Sequence, residues 1–430
     1  MISSLQLKLP RLGKSGRTGF QSLELLMLRM ALFCGALLAA DAAENISFPA
    51  ADIIINPGRA YGDDVRVWQG IPGIERAPHG RLWACWYSGG LGEGQTGNYV
   101  LLATSGDDGR TWSQPVVVIQ GPGDSKIVDP LPWLDPKGRL WIFYHQITSD
   151  SKKNGTQRWD GTCAIRADAP DEATPVWSKP MLIYPSGCLF GKPILPASGG
   201  WVAPFFLSGA KLGENETCTL ITTNEGASWQ YLGGTTIPPE LRNFSEATLA
   251  QRKDGSLWMV IRRVGGLHQS TSMDNGRTWS AAVPLREGTQ TRAHMRRLVS
   301  GAFLLIYHDV GKKNSNGQYP RDRLTAWLSD DEGKTWPYKL LVDDRTGVSY
   351  PDATQAPDGR IYVAYDRYRY KTGAKEILLG IIREEDIRAG KIVSSDSRLQ
   401  KLINRAQGYG NTQDLENDAK PEKKKSSKGN

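Results

Sequence analysis

Six short apolar runs, each opened by a glycine, recur along this chain at a nearly constant beat. They read "HGRLWACWY" at Gly80, "KGRLWIFYH" at Gly138, "SGGWVAPFF" at Gly200, "DGSLWMVIR" at Gly255, "SGAFLLIYH" at Gly301 and "DGRIYVAYD" at Gly359. The intervals between the glycines are 58, 62, 55, 46 and 58 residues. About 56 residues accommodate four strands of five to seven residues with their turns. Six such units in about 330 residues predict an all-β chain folded as a six-bladed β-propeller, which closes radially and leaves only short, protected edges.

A second pattern keeps the same period. "SGDDGRTW" from Ser105, "TTNEGASW" from Thr222, "SMDNGRTW" from Ser272 and "SDDEGKTW" from Ser329 share a hydroxyl residue, an Asp or Asn, a Gly and a closing Trp. Their intervals are 117, 50 and 57 residues, and "ADAPDEATPVW", ending at Trp177, sits in the long gap as a decayed copy. The Gly tolerates backbone geometry that other residues resist. The Asp or Asn can bond nearby amides and pin the turn, while the Trp plugs against its blade. These boxes are expected to be structural. Their calcium-loop flavour lacks the closing bidentate Glu.

Composition supports a β-rich chain with a substantial core: of 430 residues, 47 are Gly and 14 Trp, with 39% hydrophobic and 23% charged. The formal charge of +8 belongs to the ends. Residues 1–43 hold five basic and two acidic groups and residues 401–430 hold seven and four, so about +2 remains for 44–400. No basic, aromatic-laced stripe marks the body, so nucleic acid is not an expected partner. The first 43 residues read as an export signal with a preceding extension: Arg29, an apolar run from Met30 to Ala40 and an Ala-x-Ala site at Ala40 to Ala42. That run is too short to span a bilayer, and no other segment suggests a membrane span. The propeller is placed at 44–395, and 396–430 is read as a disordered polar tail. An exported (periplasmic or secreted) monomer is expected. Cys85, Cys163, Cys188 and Cys218 allow three disulfide pairings and the sequence does not choose among them. Without Cys-x-x-Cys or spaced histidines, neither metal nor cofactor is expected.

Boxes of this form on a six-blade beat resemble those of the sialidase (neuraminidase) superfamily, most closely its bacterial BNR-repeat-like branch, over roughly residues 60–390. That resemblance implies a retaining glycoside hydrolase. Three arginines would hold the substrate carboxylate, a tyrosine activated by a glutamate would attack, and an acidic residue would protonate the leaving oxygen. Guanidinium groups suit a carboxylate through bidentate bonds, and a neutral tyrosine nucleophile avoids the repulsion that a second carboxylate would meet.

Carried onto this chain, "SEATLAQRKDGSLWMVIRR" supplies Glu246 and Arg262, sixteen residues apart on a hairpin that would bring both to one end of a blade. "PRDRLTAWLSDDEGKTW" selects Arg321 over Arg323, and "VSYPDATQ" places the nucleophile at Tyr350. The first half departs from the family pattern. "WQGIPGIERAP" has Gly70 where Arg-Ile-Pro is expected, leaving Arg76 or Arg66 as replacements, and "YSGGLGEGQTGNYVLL" offers Glu93 in place of the acid/base aspartate. Asp129 in "KIVDPLPWL" is a second carboxylate candidate.

The expected substrate is a glycan ending in sialic acid or a related acidic sugar. Two alternatives stay open. One is a uronate-polysaccharide lyase with His294 or His145 as the proton-removing group. The other is a non-catalytic glycan-binding propeller stacking sugars on Trp86, Tyr87 or Tyr99.

Overall fold

The computed structural model describes residues 49–150, 156–207, 216–370 and 373–408. The segment 1–43 that the sequence reads as an export signal, and the tail beyond 408, lie outside these described residues. Among them the chain forms six antiparallel sheets, each built from consecutive strands, as a six-bladed β-propeller. Each glycine-led run is the second strand of its blade, as in Leu82–Ser88, where all seven residues are buried between neighbouring sheets. Blade 1 also carries an outermost fifth strand, Asp52–Ile55, paired with Val117–Gln120. No helix of the described residues is long and apolar enough to cross a membrane.

Blade 3 differs from its neighbours. Its innermost segment makes only isolated bridges, Cys188 to Phe206 and Ile194 to Val202. Proline at 193 and 196 removes donors from that stretch, and a Cβ on Gly191 would lie 2.5 Å from the Ala247 carbonyl oxygen of blade 4. Blade 6 corrects the tail boundary. Arg398–Arg405 is its outermost strand, paired with Glu376–Ile382, so the propeller runs past 395. The segment reads as polar because six of its eight residues face solvent at least in part and only Ile403 and Asn404 are buried.

The boxes form one repeated turn. In the first, Ser105 Oγ donates to Asp107 Oδ1 at 2.8 Å and accepts from Gly109 N at 2.8 Å, and Asp107 accepts from Thr111 N at 2.9 Å and Thr111 Oγ1 at 2.7 Å. Asp274 and Asp331 repeat the pattern, and Asn224 performs it with Ser228. The residue before each Gly is left-handed: Asp108, Glu225, Asn275 and Glu332 have φ of 58 to 65°.

In three of the four boxes that strained residue reaches across to the preceding blade. Asp108 of blade 1 pairs with Arg360 of blade 6 at 2.8 Å, Glu225 of blade 3 pairs with Lys137 of blade 2 at 2.7 Å, and Glu332 of blade 5 accepts from Lys253 N of blade 4 at 2.9 Å. In the decayed copy Asp171 accepts from His79 N of blade 1 at 3.0 Å. The closing tryptophans follow suit: Trp177 packs edge-on against Trp83 of blade 1, and Trp229 against Phe143 of blade 2. The expectation that each Trp plugs its own blade is thus only part of the picture. Blade 6 has a helix, Glu384–Ala389, in place of a box, and its Arg388 grips Asp330 of blade 5 through two bonds of 2.8 Å.

These turns respond to acid. Hydrogen bonds, from Thr111, Thr278 and Thr335 foremost, lower Asp107, Asp274 and Asp331 from 3.8 to about 2. The folded pKa lies below the unfolded one, so each contributes stability present above 3.8 and lost as pH falls through about 2. The urea midpoint is expected to drop over this window, and to drop less steeply in a variant with all three changed to Asn, the residue that already works at 224. Parallel curves for the two proteins would remove the boxes from the acid response.

Candidate active site

Three innermost strands carry the same irregularity. Gln69–Arg76, Ser125–Leu134 and Val348–Gln355 each slip register where a residue of positive φ precedes a proline. These residues are Ile71 (φ 55°), Asp129 (φ 49°) and Tyr350 (φ 52°). A bulge of this kind re-aims a side chain at a cost in backbone strain, and such strain concentrates at functional sites. Blade 4 reaches a similar result differently: Phe244 and Ser245, both left-handed, lead into Glu246 just before Ala247–Gln251.

Tyr350 is the hub. It is buried, and four guanidinium groups surround its ring: Arg369 at 4.6 Å, Arg321 at 5.1 Å, Arg292 at 5.5 Å and Arg262 at 6.0 Å from the centroid. Arg262 Nη1 donates both to the Tyr350 oxygen at 3.0 Å and to Glu246 Oε2 at 2.6 Å. The expected hairpin pair is therefore brought together, with the arginine lying between glutamate and tyrosine. Burial alone would lower the Arg262 guanidinium, but Glu246 and Tyr350 outweigh it and hold its pKa raised.

The charges do not balance around the tyrosine. Arg262 is matched by Glu246, and Arg369 by Glu93 at 2.9 Å and Asp366 at 3.4 Å. Arg292 and Arg321 have no carboxylate partner among the described residues. Arg292 donates to the Phe190 carbonyl at 3.3 Å and its buried Nη2 has no bond. Arg321 makes only long contacts, 3.4 Å to Ser349 Oγ and 3.4 Å to the Gln290 carbonyl. Arg262 and Arg321 also line a cavity of about 460 Å³ together with Gln290 and Tyr319, within the roughly 300–1,000 Å³ range of small-molecule sites.

Two further carboxylates belong to blades 1 and 2. Glu93, on the loop between Leu82–Ser88 and Tyr99–Ser105, accepts from Arg369 Nε and from Tyr370 at 3.2 Å, both on Oε2. Asp129 lies 3.9 Å from His145 Nδ1, and His145 Nε2 accepts from Leu189 N at 2.9 Å. Tyr87 stands among them: burial pushes its hydroxyl well above the ordinary range, Glu93 and Asp129 push it further, and Arg369 opposes.

Other predicted residues fall elsewhere. Arg76 ends its strand at the opposite mouth of the central channel, beside Pro78 on a cavity of about 650 Å³, and is not brought to Tyr350. Arg66 is sealed by Asp63 and Asn404, each at 2.6 Å. Arg323 pairs with Asp309 at 3.2 Å, in an exposed contact, leaving Arg321 as the site arginine. His294 lines the same cavity as Arg76, its Nδ1 3.0 Å from Asp352. Trp86 and Tyr99 are built into the blade 1 core and present no face to a sugar. Arg292 and Arg369 escaped sequence reading because neither is in a box or glycine-led run. The one local hint was the Arg- and Tyr-rich "YDRYRY" after the last such strand.

The comparisons with known proteins agree with this architecture. The family model for the BNR repeat-like domain matches residues 80–363. The chain belongs to the BNR repeat-like family. A curated relative, an anhydrosialidase of Macrobdella decora, is 26% identical over 173 residues, 35% of this chain. The chain spans 21% of that relative's length. Among solved structures, a protein of unknown function from Dyadobacter fermentans aligns with a TM-score of 0.61 at 16% identity, covering 78% of this chain and 98% of its own. The intramolecular trans-sialidase of Ruminococcus gnavus aligns with a TM-score of 0.57 at 17% identity, covering 79% of this chain and 98% of its own. The BNR repeat-like chain thus shares its propeller with sialidases, as the box pattern implied.

Proposed function

We propose that this BNR repeat-like protein is an exported exo-acting glycoside hydrolase of sialidase type, removing a terminal acidic sugar with Tyr350 as nucleophile. The observation that carries the reading is the pair Arg292 and Arg321, two guanidinium groups facing the Tyr350 ring with no carboxylate among the described residues to match them. Burying unmatched charge is costly, and a substrate carboxylate would relieve it while setting the anomeric carbon against the tyrosine.

Tyr350 would attack the anomeric carbon as the glycosidic bond breaks, its phenolic proton passing to Glu246 while the leaving oxygen takes a proton from Glu93. Water would then open the tyrosyl–sugar bond, giving a proton to Glu93, and the freed tyrosine oxygen would take its own proton back from Glu246. Arg262 donates to the nucleophilic oxygen at 3.0 Å and to Glu246 at 2.6 Å from the same nitrogen, so the arginine holds together the tyrosine and the carboxylate that would take its proton. Asp129, which with Glu93 acts on the Tyr87 hydroxyl, would be the second carboxylate candidate.

Three measurements test the class of reaction. The purified protein is expected to release fluorophore from an α-sialoside or another acidic α-glycoside, and to leave the neutral glycosides untouched. An ultraviolet-absorbing unsaturated product from a uronate polymer would instead assign a lyase. Tight binding of acidic glycans without turnover would assign a binding propeller.

A further inference from the structure

We infer that Arg369, delivered from blade 6, supplies the clamp cation that position 70 on blade 1 lacks, so that Gly70 and Arg369 are two halves of one exchange. The inference rests on the acidic-sugar reading above and names a residue that determines its specificity.

The space at position 70 is already taken. A Cβ built on Gly70 would lie 2.5 Å from Arg369 Cδ, 2.9 Å from Arg369 Cβ and 2.9 Å from Asp366 Oδ2. Gly70 does not have a positive φ, so backbone geometry does not demand glycine there. The arginine does. The two segments are also tied through their backbones, Gln69 N donating to the Arg369 carbonyl at 3.2 Å.

Arg369 is placed as a clamp would be. Its guanidinium is nearest of the four to the Tyr350 ring, at 4.6 Å, and its side chain is 4% exposed. Ser349 Oγ accepts from both Arg369 Nη1 at 3.1 Å and Arg321 Nη1 at 3.4 Å, so the two guanidinium groups converge on one hydroxyl. Ser349 in turn donates to Asp366 at 2.6 Å. Only the Nε of Arg369 makes a short bond, to Glu93. Its Nη contacts run from 3.1 to 3.4 Å, including 3.3 Å to the Tyr370 hydroxyl. The Nη edge is thus held in position while remaining weakly bonded, the arrangement that admits a carboxylate. Burial would lower this guanidinium, and Glu93 and Asp366 outweigh it, keeping it charged.

The test compares binding of N-acetylneuraminic acid with that of its methyl ester, by calorimetry, in the parent, R369A, R369K and the exchange variant G70R/R369A. The parent is expected to prefer the acid. R369A should lose roughly 30–100-fold of that affinity, the worth of a charged hydrogen-bonded partner, with little change for the ester. R369K should recover little, since an ammonium lacks the planar fork. G70R/R369A should regain at least about threefold over R369A, because removing the 369 Cδ opens space at position 70, while the retained 369 Cβ and Asp366 Oδ2 must still give way to the new side chain. Urea midpoints accompany each variant, and if R369A does not fold, R369K and G70R/R369A carry the comparison. Acid affinity within threefold of the parent in folded R369A or R369K would overturn the inference while leaving the acidic-sugar reading in place. A parent protein that shows no preference for acid over ester would sink both.

Discussion

Tyr350→Phe is expected to lower turnover of an acidic α-glycoside by at least about 10³-fold, because removing a nucleophile eliminates the covalent route and leaves only binding and orientation. Binding should survive. The phenyl ring keeps its place among Arg369, Arg321, Arg292 and Arg262, and the only bond lost is the 3.0 Å one from Arg262 Nη1, which still has Glu246 at 2.6 Å. The stability cost should therefore stay near the ~1 kcal/mol of a single hydrogen bond. The informative readout is the split between kcat and ligand affinity: kcat collapses and affinity stays within about tenfold. Turnover that persists in the Phe variant would remove the tyrosine from the chemistry.

The second large effect is on stability. Asp352 sits two residues beyond Tyr350 on the same bulged strand, 3.2 Å from Lys192 Nζ and 3.0 Å from His294 Nδ1, and it accepts from Ile74 N at 2.8 Å. It ties blade 6 to blades 1, 3 and 5 in the depth of the channel. Asp352→Ala leaves a buried ammonium and a buried amide short of a partner, a class of change that costs about 3–5 kcal/mol. Lys192 also holds Glu75 at 3.0 Å, so the lower end of that range is expected. Asp352→Asn keeps the bond from Ile74 and should cost less. Lys192 and His294 hold the Asp352 carboxyl below the usual range against burial, which alone would raise it. Its share of the stability is therefore present above 3.8 and lost on acidification. Urea unfolding at neutral pH checks the ranking, and a D352A midpoint equal to the parent's would show that the cluster carries no net stability.

Much of this molecule was legible before any coordinates. The glycine-led strands and the boxes are local signals, each contained in eight or nine residues, and they repeat, so the blade number followed from counting. Blade 3 hid its inner segment because prolines break its ladder, and Arg398–Arg405 looked like tail because an outermost strand faces water. The half of the site held in one hairpin, Glu246 with Arg262, was equally local. Arg369 was not, because its meaning depends on a glycine 299 positions earlier that meets it only where blade 6 closes on blade 1. Arg76 was the natural substitute in sequence, yet the strand from Gln69 carries it to the other mouth of the channel.

The reach of five of the six blades onto the one before makes the ring cooperative. In an open stack of repeats an end unit can fray by losing one neighbour. Here Asp108 returns blade 1 onto blade 6 and Arg388 fastens blade 6 to blade 5, so no blade is terminal and detaching any one breaks two seams. Fluctuations that expose a single blade should be rarer than the blade's own sheet would suggest. Amide exchange in the second strands should accordingly approach that of whole-ring unfolding in all six blades alike.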